Sequence, residues 1–333
     1  MKRKLIAKVF VFIFLIFSGK VFAEEKIAHL SFVSFRNNLN FTLGQDSQVN
    51  AVERNLKPFA INKFETTYGL WYQVKVKAES MGYYFANPGQ PGSEGRRGEK
   101  ISEENKYLPV SMITWYDAIV WCNALSEIRG KEPCYKYENE VLRDSSASAE
   151  CDLAVCDFSA NGYRLPSESE WEFAARKTKS GMQAGDEVSG VVASGLEWNL
   201  FAWYSENCAE ARIVGTAGVP FLPGEEVMPG SGNANAAGIF DMSGNLLEFC
   251  WDWFEAYKKD SVYGVFNLDG KGDTDSVTER IKKGRFLGIE FQKEYEGQFS
   301  YHVDYIDAPF FDIITIRILE KTDGAYSFEE KFE

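Results

Sequence analysis

Three stretches without regular apolar periodicity constrain this chain more than any helix or strand in it: Asn87 to Asn105, about Glu138 to Asp157, and Gly215 to Ala237. The first is rich in Gly, Pro and charge, and the third in Gly, Pro and Asn. Loops of this length are uncommon inside a compact domain. Three of them require a fold in which much irregular chain is pinned between a few regular elements. The composition allows such pinning, because 45% of the residues are hydrophobic and 15% aromatic, enough to bury a sizeable core. No repeat, heptad or low-complexity tract offers another architecture.

The regular elements announce themselves by their caps. Thr67 is an N-cap type, and Leu70, Trp71, Val74 and Ala78 follow at helical spacing, which predicts a helix from Thr67 to about Ser80. Thr114 and Asp117 start a second, with Ala118, Ile119, Cys122 and Leu125 as its apolar stripe and Gly130 as its stop. Ser167 and Glu170 have capping-box spacing ahead of Trp171, Ala174 and Ala175. Beyond Gly284 the period changes to alternation, in Phe299, Tyr301, Val303 and Tyr305 and again in Ile314, Ile316 and Ile318. The carboxy-terminal third therefore reads as antiparallel sheet, and the class as α+β.

The amino terminus reads as an address. Lys2, Arg3, Lys4 and Lys8 precede an apolar run from Val9 to Phe17, and Val21-Phe22-Ala23 precedes Glu24, the pattern of a secretory signal peptide over residues 1–23. The apolar run falls well short of the roughly 20 residues of a spanning helix. Removing this leader takes the formal charge from −13 to −18, a surface that repels nucleic acid and anionic membrane. The expected location is extracytoplasmic, in a periplasm or at a cell surface.

Six cysteines remain: Cys122, Cys134, Cys151, Cys156, Cys208 and Cys250. Six allow 15 disulfide pairings, of which Cys151 with Cys156 is the favoured local one. Zinc is disfavoured, since the spacing is not repeated and the imidazoles are limited to His29 and His302. Neither histidine has a hydrolase nucleophile motif beside it.

Four blocks in order carry a resemblance. They are Lys57-Pro58-Phe59 through Glu65-Thr66-Thr67, Pro109-Val110-Ser111 through Ala118, Asn161-Gly162-Tyr163-Arg164-Leu165-Pro166-Ser167 through Glu172, and Gly238-Ile239-Phe240-Asp241-Met242-Ser243-Gly244-Asn245 through Phe249. They resemble the formylglycine-generating-enzyme-like (sulfatase-modifying factor) family, an elaborated branch of the C-type lectin-like fold. The resemblance implies one such domain over 24–320, and the residues from Lys321 read as a polar tail over 321–333. On the bland reading these residues are scaffold, with Arg164 paired to Glu170 or Glu172 and Trp115, Trp171, Trp251 and Trp253 in the core.

The resemblance also implies a structural calcium ion, held by the Asp241 and Glu248 side chains and the Gly244 and Leu246 carbonyls. The residues leave a metal-free turn, with Glu248 in a salt bridge, equally open. Enzymes of the family use a carboxy-terminal cysteine pair that binds copper. Here the segment starting at Arg280 to Phe286 only loosely echoes the family motif, and no cysteine follows Cys250, so no copper is expected. Relatives that use histidine-bound iron in an added helical domain are likewise poor guides for a chain with two histidines.

Two functions follow. One is a non-catalytic binding module for an envelope protein or glycan, presenting Tyr295, Phe299, Tyr301 and Tyr305. The other is an oxidoreductase of the sulfatase-modifying-factor type with an altered active site. Both place the chain outside the cytoplasm. Mass analysis of the protein recovered from the envelope should find a chain beginning at Glu24, and a full-length cytoplasmic product would refute the signal.

Overall fold

The computed structural model describes residues 30–43, 52–183, 188–191, 198–204, 207–220, 226–253, 280–283 and 314–321. The leader, both histidines and Tyr295, Phe299, Tyr301 and Tyr305 lie outside the described residues. In chain order the strands β1 (Phe32–Phe35), β2 (Asn40–Leu43), β3 (Val52–Asn55) and β4 (Phe59–Asn62) precede helix α1 (Tyr68–Glu79). Then come β5 (Gln90–Pro91), β6 (Val110–Ser111), α2 (Trp115–Ile128), β7 (Tyr135–Tyr137), β8 (Glu140–Val141), α3 (Ser148–Asp152) and β9 (Val155–Cys156). The rest are β10 (Tyr163–Arg164), α4 (Glu168–Arg176), α5 (Trp198–Phe201), β11 (Leu247–Trp253), β12 (Arg280–Lys283), β13 (Ile314–Thr315) and β14 (Leu319–Glu320).

The three expected helices form with their expected caps. Thr67 accepts the Leu70 N–H, and the capping boxes Thr114/Asp117 and Ser167/Glu170 are both closed. Each box satisfies two of the backbone donors that a helix start leaves without partners. Gly130, at φ +66°, lets the chain reverse directly after α2. The buried faces of α1 and α2 meet at Trp71 and Trp121, stacked 5.4 Å apart at 7°. Such a pair adds about 0.5–1.5 kcal/mol beyond its area.

The main sheet has the order β1-β4-β14-β10 and is antiparallel throughout. A second has the order β12-β11-β13, in which β11 runs antiparallel to β12 but parallel to β13. The expected antiparallel end of the chain is thus mixed. The alternation Ile314, Ile316, Ile318 is not one strand, for Ile316 to Ile318 form no regular ladder between β13 and β14. Both faces are buried there, because Thr315 and Arg317 are as inaccessible as Ile316 and Ile318.

The expected loop from Glu138 to Asp157 holds more order than its composition suggests, with β8, α3 and β9 inside it. Its organiser is Asn123, a fully buried side chain on α2. The amide donates to the carbonyls of Tyr135 and Leu142 at 2.7 and 3.0 Å, and its oxygen accepts the Tyr135 N–H at 2.9 Å. One side chain thereby serves three backbone groups, although the Tyr135 carbonyl also accepts the Leu142 N–H at 3.2 Å. Arg164 pairs with Glu170 through two bonds of 2.6 and 2.7 Å, whereas Glu172 pairs with Arg176. Trp115, Trp171 and Trp251 are core, as expected.

All six cysteines are free, and the favoured Cys151 to Cys156 bridge is not formed. Burial is the main force raising the thiols: Cys134 is pushed up to about 11, Cys151 to about 12, and Cys122, Cys156 and Cys208 upward too. Asn123→Leu keeps the volume but takes this partner from the buried Tyr135 N–H and the Leu142 carbonyl. It should cost about 3 kcal/mol or more, read as a lowered midpoint in urea.

Candidate functional site

The turn from Asp241 to Glu248 is backbone that few sequences tolerate. Asp241, Gly244 and Asn245 all have φ in the left-handed region, at +53°, +83° and +56°. At Gly244 a Cβ would fall 2.1 Å from the Trp203 carbonyl oxygen, so glycine is required twice over. The turn aims its polar groups inward, and a charged cluster lies beneath it.

Glu248 and Arg317 form the centre of that cluster, both essentially inaccessible. The Arg317 Nε donates to the two Glu248 oxygens at 3.1 and 3.0 Å, and its Nη2 donates to Oε1 at 2.6 Å. The remaining guanidinium donors reach the carbonyls of Asn62 and Phe240, and Trp171 Nε1 donates to Glu248 Oε2 at 2.8 Å. Glu65 stands beside them, accepting from Asn245 Nδ2 at 2.6 Å and from the Leu246 N–H at 3.1 Å. Burial first, and then Asp241 and Glu248, push the Glu65 carboxyl well above its usual range. Asp241 Oδ2 accepts the Gly215 N–H at 2.5 Å while its Oδ1 is buried without a partner, and burial lifts this carboxyl to about 6.

Calcium requires six to eight oxygens at 2.3–2.6 Å. Of the four expected ligands, Glu248 is committed to a guanidinium and an indole, and releasing it would strand Arg317 in the core. The residues as placed therefore do not fit a calcium ion, and the salt-bridged turn is the alternative the structure takes. Among the described residues no group of three or more His, Cys, Asp or Glu is arranged to hold a metal.

The turn does support a cavity. Asn245 Oδ1 accepts the Arg212 N–H at 2.8 Å and its amide donates to the Arg212 carbonyl at 3.2 Å, while Asp241 fixes Gly215. The segment 211–216 is thus tied to the buried cluster at two points. Opposite it, the Gln90 amide and the Ser111 hydroxyl bind the carbonyls of Gly92 and Ser93, and Ser93 Oγ accepts the Ala211 N–H at 2.9 Å. Between these two loops lies a pocket of about 310 Å³. Its walls include Pro91, Leu108, Trp203, Ile213, Val219 and Val227, and its charged lining is Glu94, Glu99, Glu104, Glu210 and Arg212. None of these residues stood out in the sequence, because they come from positions about a hundred residues apart.

The family model of the sulfatase-modifying factor enzyme 1-like domain matches residues 33–296. The chain is 33% identical over 211 residues to the chaperone protein LppX of Paenibacillus barcinonensis, covering 60% of this chain and 63% of that protein. It is 34% identical over 133 residues to the formylglycine-generating enzyme of Streptomyces coelicolor, covering 38% of this chain and 37% of the enzyme. The chain thus spans less than two thirds of either relative. Among solved structures it is similar to Treponema denticola variable protein 1, with 25% identity, a TM-score of 0.56, and coverage of 87% of this chain and 95% of that one. CarF gives 19% identity and a TM-score of 0.57, covering 88% of this chain and 99% of that one.

These relations and the observed layers agree on an α+β, C-type lectin-like fold. Adding calcium or a chelator should leave the Tm unchanged. Asp241 raised to about 6 stabilises the fold fully below its ordinary value of 3.8, and that contribution is lost as pH rises towards 6. Asp241→Asn should therefore melt at or above the parent at pH 7.5, with the advantage gone near pH 4. A bound calcium ion would give the reverse, a variant weakened only when calcium is present. The chain belongs to the sulfatase-modifying factor enzyme 1-like family.

Proposed function

We propose that this chain is a non-catalytic binding protein of its family, acting outside the cytoplasm on other polypeptides. The observation that carries the reading is the pocket lined by residues of 91–108 on one side and by Trp203, Val227 and residues of 210–219 on the other. Its walls are apolar and preformed, as in binding sites generally. Among the described residues its lining holds carboxylates, one guanidinium, an amide and hydroxyls, and no histidine, cysteine or lysine to act as nucleophile or redox ligand.

The thiols support the same reading. Copper-dependent thiol oxidation needs a pair of accessible thiolates, and the five thiols that burial raises are held protonated at neutral pH. No cysteine follows Cys250. The relationship to a protein named a chaperone favours a polypeptide over a glycan as the ligand. Among the described residues no helix is long and apolar enough to cross a membrane, and the sequence of the leader supports export.

The test uses the mature chain with a reduced, aggregating model protein and, separately, with a cysteine peptide, copper and oxygen. Suppressed light scattering at near-stoichiometric ratios, with no oxygen uptake, is expected. Oxygen uptake that disappears in Cys208→Ser or Cys250→Ser would replace this reading with an oxidoreductase.

A further inference from the structure

Four thiols, Cys122, Cys134, Cys151 and Cys156, are buried in the hydrophobic cluster that α2 shares with the chain following it. Cys134 stands close to two of the others. After burial itself, it is what raises the Cys122 and Cys156 thiols most.

The backbone distinguishes these two neighbours. Beyond α2 the chain turns back along the helix, for the Lys131 N–H donates to the Ser126 carbonyl at 2.8 Å and the Tyr135 N–H to Asn123 Oδ1 at 2.9 Å. Cys134 is thereby laid against the turn from Cys122 to Ser126, whose two side chains share a helix face. Ser126 Oγ accepts the Tyr163 N–H at 2.8 Å, and the neighbouring Gly162 N–H points at the Cys134 sulfur. A Cβ at Gly162 would fall 2.2 Å from the Glu132 carbonyl oxygen and 2.7 Å from Ser126 Oγ, so these segments touch directly. Cys134 and Cys122 therefore meet on the Ser126 side. Cys156 lies opposite Tyr135 in the ladder of β7 and β9, and successive side chains of a strand alternate in face. It goes with Tyr135, on the other face from Cys134. Cys151 is engaged elsewhere, its thiol donating to the Asp144 carbonyl at 3.7 Å.

We propose that Cys122 and Cys134 are a disulfide-forming pair, present here as the dithiol, and that their bridge locks the excursion from Lys131 to Tyr163 onto α2. It rests on the extracytoplasmic reading only for its oxidant, a second disulfide. One cysteine thiolate attacks that disulfide and displaces one of its sulfurs as a thiolate. The other cysteine thiolate then attacks the protein sulfur of the mixed disulfide and releases the second. Each cysteine gives its proton to water, each departing thiolate takes one back, and two electrons pass to the oxidant. In the folded dithiol both sulfurs are inaccessible and held protonated, so the bridge forms while the chain is still folding.

The probe is glutathione disulfide. The mature chain, unfolded and reduced, is refolded with it, free thiols are alkylated in urea, and a tryptic digest is mapped without reduction. Cleavage at Arg129 and Lys131 separates the two cysteines. One linked peptide pair holding Cys122 and Cys134 is expected, with Cys151, Cys156, Cys208 and Cys250 alkylated. The bridged chain should melt about 5 °C or more above the same chain reduced. Cys122→Ala and Cys134→Ala should each melt alike in the two conditions, a comparison in which the packing lost with the sulfur cancels. Alkylation of all six thiols, or a link from Cys134 to Cys156 or Cys151, would overturn the proposal, as would a bridged chain no more stable than the reduced one. A bridge that forms on refolding but is missing from chain recovered from expressing cells leaves the pairing standing and overturns the extracytoplasmic reading. A bridged chain that fails to suppress aggregation overturns the binding reading alone.

Discussion

A buried guanidinium held against a buried carboxylate is the constraint on which the rest of this fold depends. Taking Glu248 and Arg317 out of water costs several kcal/mol per ion, and their attraction offsets that only when every donor and acceptor is satisfied. The fold meets the condition by drawing on distant chain: Trp171 from α4, and the carbonyls of Asn62 and Phe240. Each of those partners must be in place for the pair to be tolerated. The pair therefore enforces one arrangement of segments that loops alone would leave loose.

Its influence reaches the surface through two short links. Asn245 joins Glu65 to Arg212, and Asp241 joins the cluster to Gly215. The wall of the pocket is thus the outer layer of the charged core. A loop rich in small residues gains fixed geometry without regular structure of its own, which is how binding surfaces on irregular scaffolds stay preformed.

How much of this was legible in the sequence depended on distance along the chain. Thr67, Thr114 and Ser167 were readable because a cap and its partner lie three residues apart, and the structure closes all three. The Arg164 pairing was readable for the same reason. Glu248 was visible as a polar residue needing a partner, but Arg317 sits 69 positions away inside Ile316-Arg317-Ile318, where alternation suggested an ordinary half-exposed strand. Asn123 gave no signal at all, since an asparagine on an apolar helix is legible only once the backbone it serves is known. The favoured Cys151 to Cys156 bridge was an inference from proximity in sequence, whereas Cys156 lies in β9 across from Tyr135.

The order of strands in the main sheet carries a consequence for biosynthesis. β14, at Leu319–Glu320, is inserted between β4 and β10, so the middle of the sheet is filled by chain made after both of its neighbours. Until it arrives, β4 has an open edge and Glu248 lacks its guanidinium. The sheet therefore cannot be completed from the segments that precede β14 alone. Closure is postponed to the moment the whole domain is available.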